Sequence, residues 1–329
     1  MPHPLLETIT LTETVRKFAT PSYFFTEKIF PIQNISTNQV EWYIDDYTRR
    51  VAPLRGRGSE GRYRPRQPRE LKRTALLHTR PKDLVLYVDM QTLRRPGSSD
   101  TSEAYGRQLV LDSQETLRRQ VDRTMEWVGA QMLQAATASF TIDEASITLN
   151  TGMPSTNVVT ANYWWGDPGS SIVQDIANAK NIIERDSGEV ADFILMASSL
   201  ETTLINNNHI DAYLQESADV NTVIREGHIP RLLGLDVITY DQYYVPDDGS
   251  VTRIWSPCLA LVGCYATKSK ARMFIGPPTD ADAPAGVGGG MFSKVWKSED
   301  PSGFFIIVDA NFFPALPIPE AYVVIDTTP

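Results

Sequence analysis

The segment Asp112-Ser113-Gln114-Glu115-Thr116-Leu117-Arg118-Arg119-Gln120-Val121-Asp122-Arg123-Thr124-Met125-Glu126-Trp127-Val128, continuing to Ala138, sets apolar residues at Leu117, Val121, Met125, Val128, Met132 and Ala136. Spacings of four and three put these residues on one stripe of an α-helix. Arg118, Arg119, Asp122, Arg123 and Glu126 fall off the stripe and are expected to face elsewhere. Asp112, followed three residues later by Glu115, has the capping-box pattern that predicts a helix start. The expectation is a single helix over 112–138, about six or seven turns long at 3.6 residues per turn.

Upstream the pattern changes. Val40–Tyr47 and Leu84–Met90 alternate as strands, and between them runs Arg49-Arg50-Val51-Ala52-Pro53-Leu54-Arg55-Gly56-Arg57-Gly58-Ser59-Glu60-Gly61-Arg62-Tyr63-Arg64-Pro65-Arg66-Gln67-Pro68-Arg69. This stretch cannot make its own core, and loops of such length in a folded chain are usually functional or disordered. Residues 1–38 contain Pro21, Pro31 and short apolar patches such as Tyr23-Phe24-Phe25 without a sustained helical period. They read as an extended arm that needs a surface to lie on.

Downstream of the helix, Phe140–Leu149 alternates as a strand, Asp167-Pro168-Gly169 makes a turn, and Ile172, Ile176, Ala179 and Ile183 mark a second helix ending near Gly188. Ala191–Ala197 reads as a buried strand, and Ser198 with Glu201 as the capped start of a short helix. Leu235–Tyr240 and Leu259–Tyr265 are further strands. Gly276–Gly290 is a Gly/Pro/Ala-rich linker, after which Phe304–Phe313 and Tyr322–Asp326 form strands separated by Pro314, Pro317 and Pro319. No internal repeat is present.

The 329 residues are 42% hydrophobic and 22% charged, a composition that folds and is neither fibrous nor disordered as a whole. Two domains, or one elongated domain with extensions, both fit the length. No run of about 18 apolar residues occurs, which argues against a membrane-spanning helix. Met1-Pro2-His3-Pro4-Leu5-Leu6-Glu7 lacks the basic-then-apolar pattern of a secretory signal, so the protein is expected to work where it is made. The net charge of −9 opposes general nucleic-acid binding, but it conceals an asymmetry. Between Arg49 and Arg95, twelve Arg and two Lys stand against four acids, a net of +10 that leaves −19 on the remaining chain. The split suggests that a basic segment of one copy meets an acidic surface elsewhere, such as on another copy.

Catalytic motifs fail on context. Gly56-Arg57-Gly58-Ser59-Glu60-Gly61 matches the dinucleotide fingerprint by letter, but Pro65 and Pro68 forbid the helix that would hold a pyrophosphate. Gly286-Val287-Gly288-Gly289-Gly290 has no Lys placed to complete a phosphate loop. His3, His78, His209 and His228 are scattered, and Cys258 and Cys264 fit neither a zinc spacing nor a disulfide framework, so no metal or cofactor is expected. No nucleophile elbow is present.

Taken with the order of parts, the strands Val190-Ala191-Asp192-Phe193-Ile194-Leu195-Met196 and Gly234-Leu235-Asp236-Val237-Ile238-Thr239-Tyr240 resemble the major capsid proteins of tailed bacteriophages. Pro246-Asp247-Asp248-Gly249, the Leu259–Tyr265 strand and Trp296-Lys297-Ser298-Glu299-Asp300-Pro301 before Phe304–Val308 bring the resemblance closer to the lambda-type major head protein family, capsid protein E. The resemblance implies an α+β fold of the Hong Kong 97 type. It assigns 1–38 to an N-terminal arm, 39–95 to an extended loop, 96–189 to a peripheral domain with a spine helix at 112–138, 190–275 to an axial domain, and 276–329 to a linker and return strands. The implied function is a non-enzymatic head protein that assembles with itself, as hexamers and pentamers, into an icosahedral shell around double-stranded DNA. Scaffolding, portal and decoration proteins would be its partners, DNA would be touched without sequence preference, and no membrane is involved. The chain would reside in the virion, and in host cytoplasm during assembly.

Candidate inter-subunit contacts are Arg49, Arg50, Arg55, Arg57, Arg62, Arg64, Arg66 and Arg69 of the basic stretch, whose planar guanidinium groups suit carboxylates. Tyr243, Tyr244, Asp247 and Asp248 are a second set, on a segment with exposed tyrosines and a turn. The alternative reading is a non-enzymatic nucleic-acid-binding protein using the Arg-rich loop, because Arg62-Tyr63-Arg64 interleaves an aromatic with cations.

Overall fold

A computed structural model describes residues 8–19, 21–44, 54, 57, 60, 70–92, 102–142, 145–167, 169–207, 228–246, 249–283 and 290–328. In chain order its first elements are helix α1 (Thr8–Lys17), a π-helix (Phe25–Ile29), β1 (Ile32–Asn34), β2 (Gln39–Ile44), β3 (Glu70–Ala75), β4 (Leu77–Thr79), β5 (Lys82–Leu86), α2 (Tyr87–Thr92) and α3 (Ser102–Gln134). There follow β6 (Thr137–Ile142), β7 (Ala145–Asn150), β8 (Val158–Thr160), α4 (Ile172–Asp186), β9 (Phe193–Met196), α5 (Ser198–Ile205), β10 (Arg231–Leu232), β11 (Leu235–Thr239), β12 (Tyr243–Tyr244) and β13 (Thr252–Arg253). The last are β14 (Leu259–Gly263), α6 (Ala266–Ser269), β15 (Arg272–Ile275), β16 (Phe292–Ser298), β17 (Gly303–Ala315) and β18 (Tyr322–Asp326). The chain divides into two compact units, each made of three segments: 1–41, 73–129 and 272–315 in the first, 42–72, 130–271 and 316–329 in the second.

The first unit is organised by β17. Its early part is flanked by β16 and β5, Phe305 standing between Trp296 and Leu84, and its later part pairs with β15 and β4. Strand β1 extends the sheet by parallel pairing with β15. Polar contacts fasten helices to it: Gln114 donates to the buried Ser293 hydroxyl at 2.8 Å and the Ser113 hydroxyl to the exposed Asp83 at 2.5 Å. The Thr12 hydroxyl of α1 donates to the Ser293 carbonyl at 3.2 Å.

Helix α3 runs from Ser102 to Gln134, not over 112–138. Asp112 is an interior residue, not the N-cap; its carboxylate accepts from Gln108 one turn back at 2.8 Å. The residues before Leu109 carry no apolar period and include Gly106, so the first turns have no signature in the sequence. At the other end Ala136 and Ala138 lie beyond the helix, because β6 begins at the β-branched Thr137. The apolar stripe itself is as expected: Leu117, Val121, Met125, Val128 and Met132 are all buried.

A second buried row was expected on a polar face. Arg118, Asp122 and Glu126, at spacings of four, are buried too. Arg118 donates to both Asp122 oxygens at 3.0 Å and to the Val15 carbonyl near the end of α1 at 3.0 Å. Glu126 accepts from the Phe25 and Thr26 backbone N–H groups at 2.9 and 2.8 Å, capping the π-helix. One turn on, Gly129 makes room for the Phe30 ring, which a Cβ would meet at 3.3 Å. The segment expected as an extended arm therefore contains a helix, α1, and a π-helix, both held by α3. Its period escapes notice because, among the residues of α1 whose side chains are described, Leu11 and Val15 are the buried apolar anchors. Glu126→Ala should leave one buried and one partly buried N–H group without their acceptor, a loss of about 3 kcal/mol at roughly 1–3 kcal/mol per group. Chemical denaturation should show a lowered midpoint, and limited proteolysis should cut the 8–30 segment first.

The second unit centres on a mixed sheet in the order β10-β11-β9-β14-β18-β8. Its middle strand β9 is buried on both faces and parallel to β11, as continuous apolar strands require. Helix α4 buries Ile172, Ile176, Ala179 and Ile183 and packs on β18 and β14. Its C-terminus is followed by Gly188 at φ 79°, the left-handed turn for which glycine is favoured.

Three further expectations are corrected. Phe140–Leu149 is not one strand but a hairpin, β6 pairing with β7 from Thr137 opposite Asn150 to Ile142 opposite Ala145. The step from Ile142 to Ile147 is odd, and that change of phase is the mark of the turn. Leu84–Met90 is strand only to Leu86, after which α2 begins with Asp89 in its first turn. Ser198 and Glu201 form no capping box: α5 has no side-chain cap, and the Ser198 N–H is received by the Asp241 carboxylate at 3.2 Å. Glu201 is committed elsewhere, accepting from the Ile229 N–H at 2.9 Å, from His228 Nδ1 at 2.6 Å and from the Thr239 hydroxyl.

Candidate inter-subunit surfaces

Among the described residues strands β2 and β3 pair only with each other, a two-stranded ribbon that brackets the arginine-rich stretch. Arg73 closes its base, donating to Gln39 at 2.7 Å and pairing with Glu41 at 3.2 Å. The ribbon exposes Tyr43 and Leu71, and an isolated pair of strands is marginal alone. Arg57 lies in a turn and is exposed, as is Leu54. Arg49, Arg50, Arg55, Arg62, Arg64, Arg66 and Arg69 lie outside the described residues.

The second predicted set is a hairpin. Tyr243 stands opposite Arg253, and Tyr244 opposite Thr252. Arg253 donates to the Tyr243 hydroxyl at 3.1 Å, lies 5.5 Å from that ring, and pairs with Asp241 at 3.1 Å. Asp241 in turn receives the first N–H of α5, so the hairpin is fixed to that helix end. Gly249, at φ 77°, donates to the Pro246 carbonyl at 3.0 Å near the tip. Tyr243, Val245 and Val251 are 43%, 59% and 71% exposed, while Tyr244 is half-buried. Asp247 and Asp248 lie outside the described residues.

Sequence reasoning missed a third surface. The turn after β8 exposes Tyr163 and Trp164, 59% and 46%, beside the fully buried Trp165. Trp165 donates from Nε1 to Asp175 at 3.1 Å, and its carbonyl accepts from the Ser170 hydroxyl at 3.2 Å and from Asn207 at 3.3 Å. The Trp164 ring lies on the backbone of Gly166, where a Cβ would come within 2.3 Å. Two adjacent tryptophans followed by glycine were the available signal, but only coordinates tell which ring is inside.

Several other titratable groups are paired within the fold. Asp309 is buried with His78 at 3.2 Å and the Thr279 hydroxyl at 3.2 Å. Lys268 pairs with Asp192 and donates to the Val190 carbonyl at 2.8 Å. Burial, reinforced by the charge of Asp192, pushes the neighbouring Cys264 thiol up to about 12. His3 and His209 lie outside the described residues. Among the described residues, no group of three His, Cys, Asp or Glu could hold a metal ion, and no helix is long and apolar enough to cross a membrane.

Solved structures of this architecture define its class. The chain is similar to a protein assigned as the capsid protein of an E. coli CFT073 prophage, at 17% identity over 98% of this chain and 99% of that one, with a TM-score of 0.69. It is also similar to a phage-related protein of Bordetella bronchiseptica RB50, at 12% identity over 98% and 97% of the two chains and a TM-score of 0.59. The mature capsid protein of bacteriophage PhiM1 matches at 10% identity over 94% and 88%, with a TM-score of 0.53. At these identities the likeness establishes the fold, which is α+β of the Hong Kong 97 capsid type. The chain belongs to the phage major capsid protein E family, whose sequence profile matches residues 7–326. It is a shell-forming head protein of a phage, a component of the virion that assembles with its own copies, and not an enzyme. No curated protein sequence matches it significantly.

Proposed function

We propose that this head protein builds an icosahedral shell of hexamers and pentamers around double-stranded DNA. The observation that carries the reading is the family profile, which runs through nearly the whole chain, arm and last strand included. Residues 1–38 serve as the arm, 39–95 as the extended loop, the α3 region within 96–189 as the peripheral spine, 190–275 as the axial domain, and 276–329 as the linker and closing strands. The arginines of the loop lie on a neighbouring copy, and the Tyr243–Arg253 hairpin faces a rotation axis. Scaffolding, portal and decoration proteins are further partners, and assembly takes place in host cytoplasm. A charge of −19 outside the arginine-rich segment suits a lining that touches packaged DNA without gripping phosphate.

Electron microscopy of the purified protein tests this reading. Closed particles with fivefold and sixfold clusters of one polypeptide are expected. Open tubes without fivefold vertices, or small oligomers that only bind nucleic acid, would overturn it.

A further inference from the structure

A ring closed by rotation repeats one contact, and that contact joins two different patches of the same chain. The second unit carries two apolar patches on fixed turns. One is Tyr163–Trp164, held by the buried Trp165, by its bond to Asp175, and by Gly166 beneath the Trp164 ring. The other is Tyr243, Val245 and Val251 on the hairpin, held by Arg253 on Asp241.

Helix α5 ties the two patches together. Its first residues, Ser198 and Ser199, meet Asp241 at 3.2 Å and Arg253 at 3.5 Å, while Asn207, just past its end, donates to the Trp165 carbonyl at 3.3 Å. Eight helical residues rise roughly 12 Å at 1.5 Å each, so secondary structure sets the separation of the patches. Fixed spacing is what a ring with a definite copy number needs. Preorganised aromatic side chains are also the residues that dominate protein interfaces, because little side-chain freedom is lost when they are covered.

Among the described residues the charged groups nearby are engaged within the chain, Arg253 with Asp241 and Asp167 with the Gly169 N–H at 3.0 Å; Asp247 and Asp248, at the hairpin tip, lie outside them. The described side chains of the patches offer apolar surface, and the two acids in the hairpin sequence would repel phosphate, which fits a protein partner better than a nucleic acid. Since the chain assembles with its own copies, that partner is at hand.

We infer that the Tyr163–Trp164 turn of one copy seats the Tyr243–Arg253 hairpin of the next, head to tail around the ring. The inference rests on the proposed assembly into rings and names the two surfaces that meet.

The test uses full-length chains carrying Cys258→Ser; Cys264 is buried and its raised pKa keeps it a thiol at neutral pH. One chain carries Asn162→Cys, an exposed position beside the aromatic pair that leaves Tyr163 and Trp164 in place, a second Val245→Cys, and a third both. Shells are treated with oxidant or, to span small offsets, with a bis-maleimide. Mixed shells should give crosslinked dimers, the double variant should give closed five- and six-chain products, and shells of either single variant should stay unlinked. In parallel, Trp164→Ala should keep the melting temperature of the unassembled chain and raise the concentration needed for assembly about tenfold or more, as loss of an aromatic anchor does. Shells that form with normal yield yet show no link between positions 162 and 245, or that link like position to like, would overturn the inference. Fivefold and sixfold clusters seen in those same shells would leave the ring reading intact, so the two failures are distinguishable.

Discussion

Met125→Asp should abolish the native melting transition. Met125 is fully buried in the stripe formed with Leu117, Val121 and Val128, on the part of α3 that belongs to the first unit. The same helix shows what a buried charge requires. Asp122 and Arg118 bond each other, Arg118 also reaches a backbone carbonyl, and Glu126 accepts two backbone N–H groups. Even so, burial raises the Asp122 pKa above its ordinary value, against the opposing pull of Arg118. An Asp at 125 would stand in an apolar row, and burying such a group without partners costs several kcal/mol. A fold stabilised by about 5–15 kcal/mol in total has little margin for that. Met125→Leu, which keeps size and chemistry, should cost less than about 1.5 kcal/mol and serves as the control. Circular dichroism melts of the three proteins give the answer. A soluble Met125→Asp chain with an unchanged transition would show that the stripe faces solvent.

The stripe was legible because apolar residues at spacings of three and four have one economical explanation. The row beside it was not. Arg118, Asp122 and Glu126 are four apart, and so are Glu115 and Arg119, which form an exposed pair at 2.5 Å. Both spacings are those of helix-surface ion pairs, so nothing in the residue types marks the first row as covered by an arm. Glu201 misled for a related reason: three residues after Ser198 it has the cap pattern, while its actual donors come from Ile229, His228 and Thr239, distant in sequence. The division into units was equally hidden. Strands β15 and β17 return after residues 130–271 of the second unit to pair with β1, β4 and β5, and strand pairing over more than 200 residues leaves no local trace. For the surfaces, charge counting located the arginine-rich segment and tyrosine content located the hairpin. Tyr163 and Trp164 were passed over because adjacent aromatics read equally well as core.

Reversal of Arg55, Arg57, Arg62 and Arg64 to Glu should leave folded subunits that no longer form shells. Each reversal removes two positive charges, so the segment from Arg49 to Arg95 falls from +10 to +2. Folding should survive, because the ribbon is closed by Arg73 on Gln39 and Glu41, none of which is changed, and Arg57 is exposed within the chain. Assembly should not survive, because every copy repeats the same contact and a weak loss per copy multiplies over a closed shell. Like charges brought together also cost more than attraction merely withdrawn. The four Arg→Gln replacements should therefore give an intermediate yield. Added salt should weaken wild-type assembly, since the Debye length is only about 8 Å at physiological ionic strength and about 3 Å at 1 M. Light scattering follows shell formation, and melting of the unassembled chain controls for folding. Normal yield from the reversed protein would mean that the charge split does not drive contact between copies. The ribbon would then have to hold its neighbours through apolar side chains such as Tyr43 and Leu71, which it also exposes.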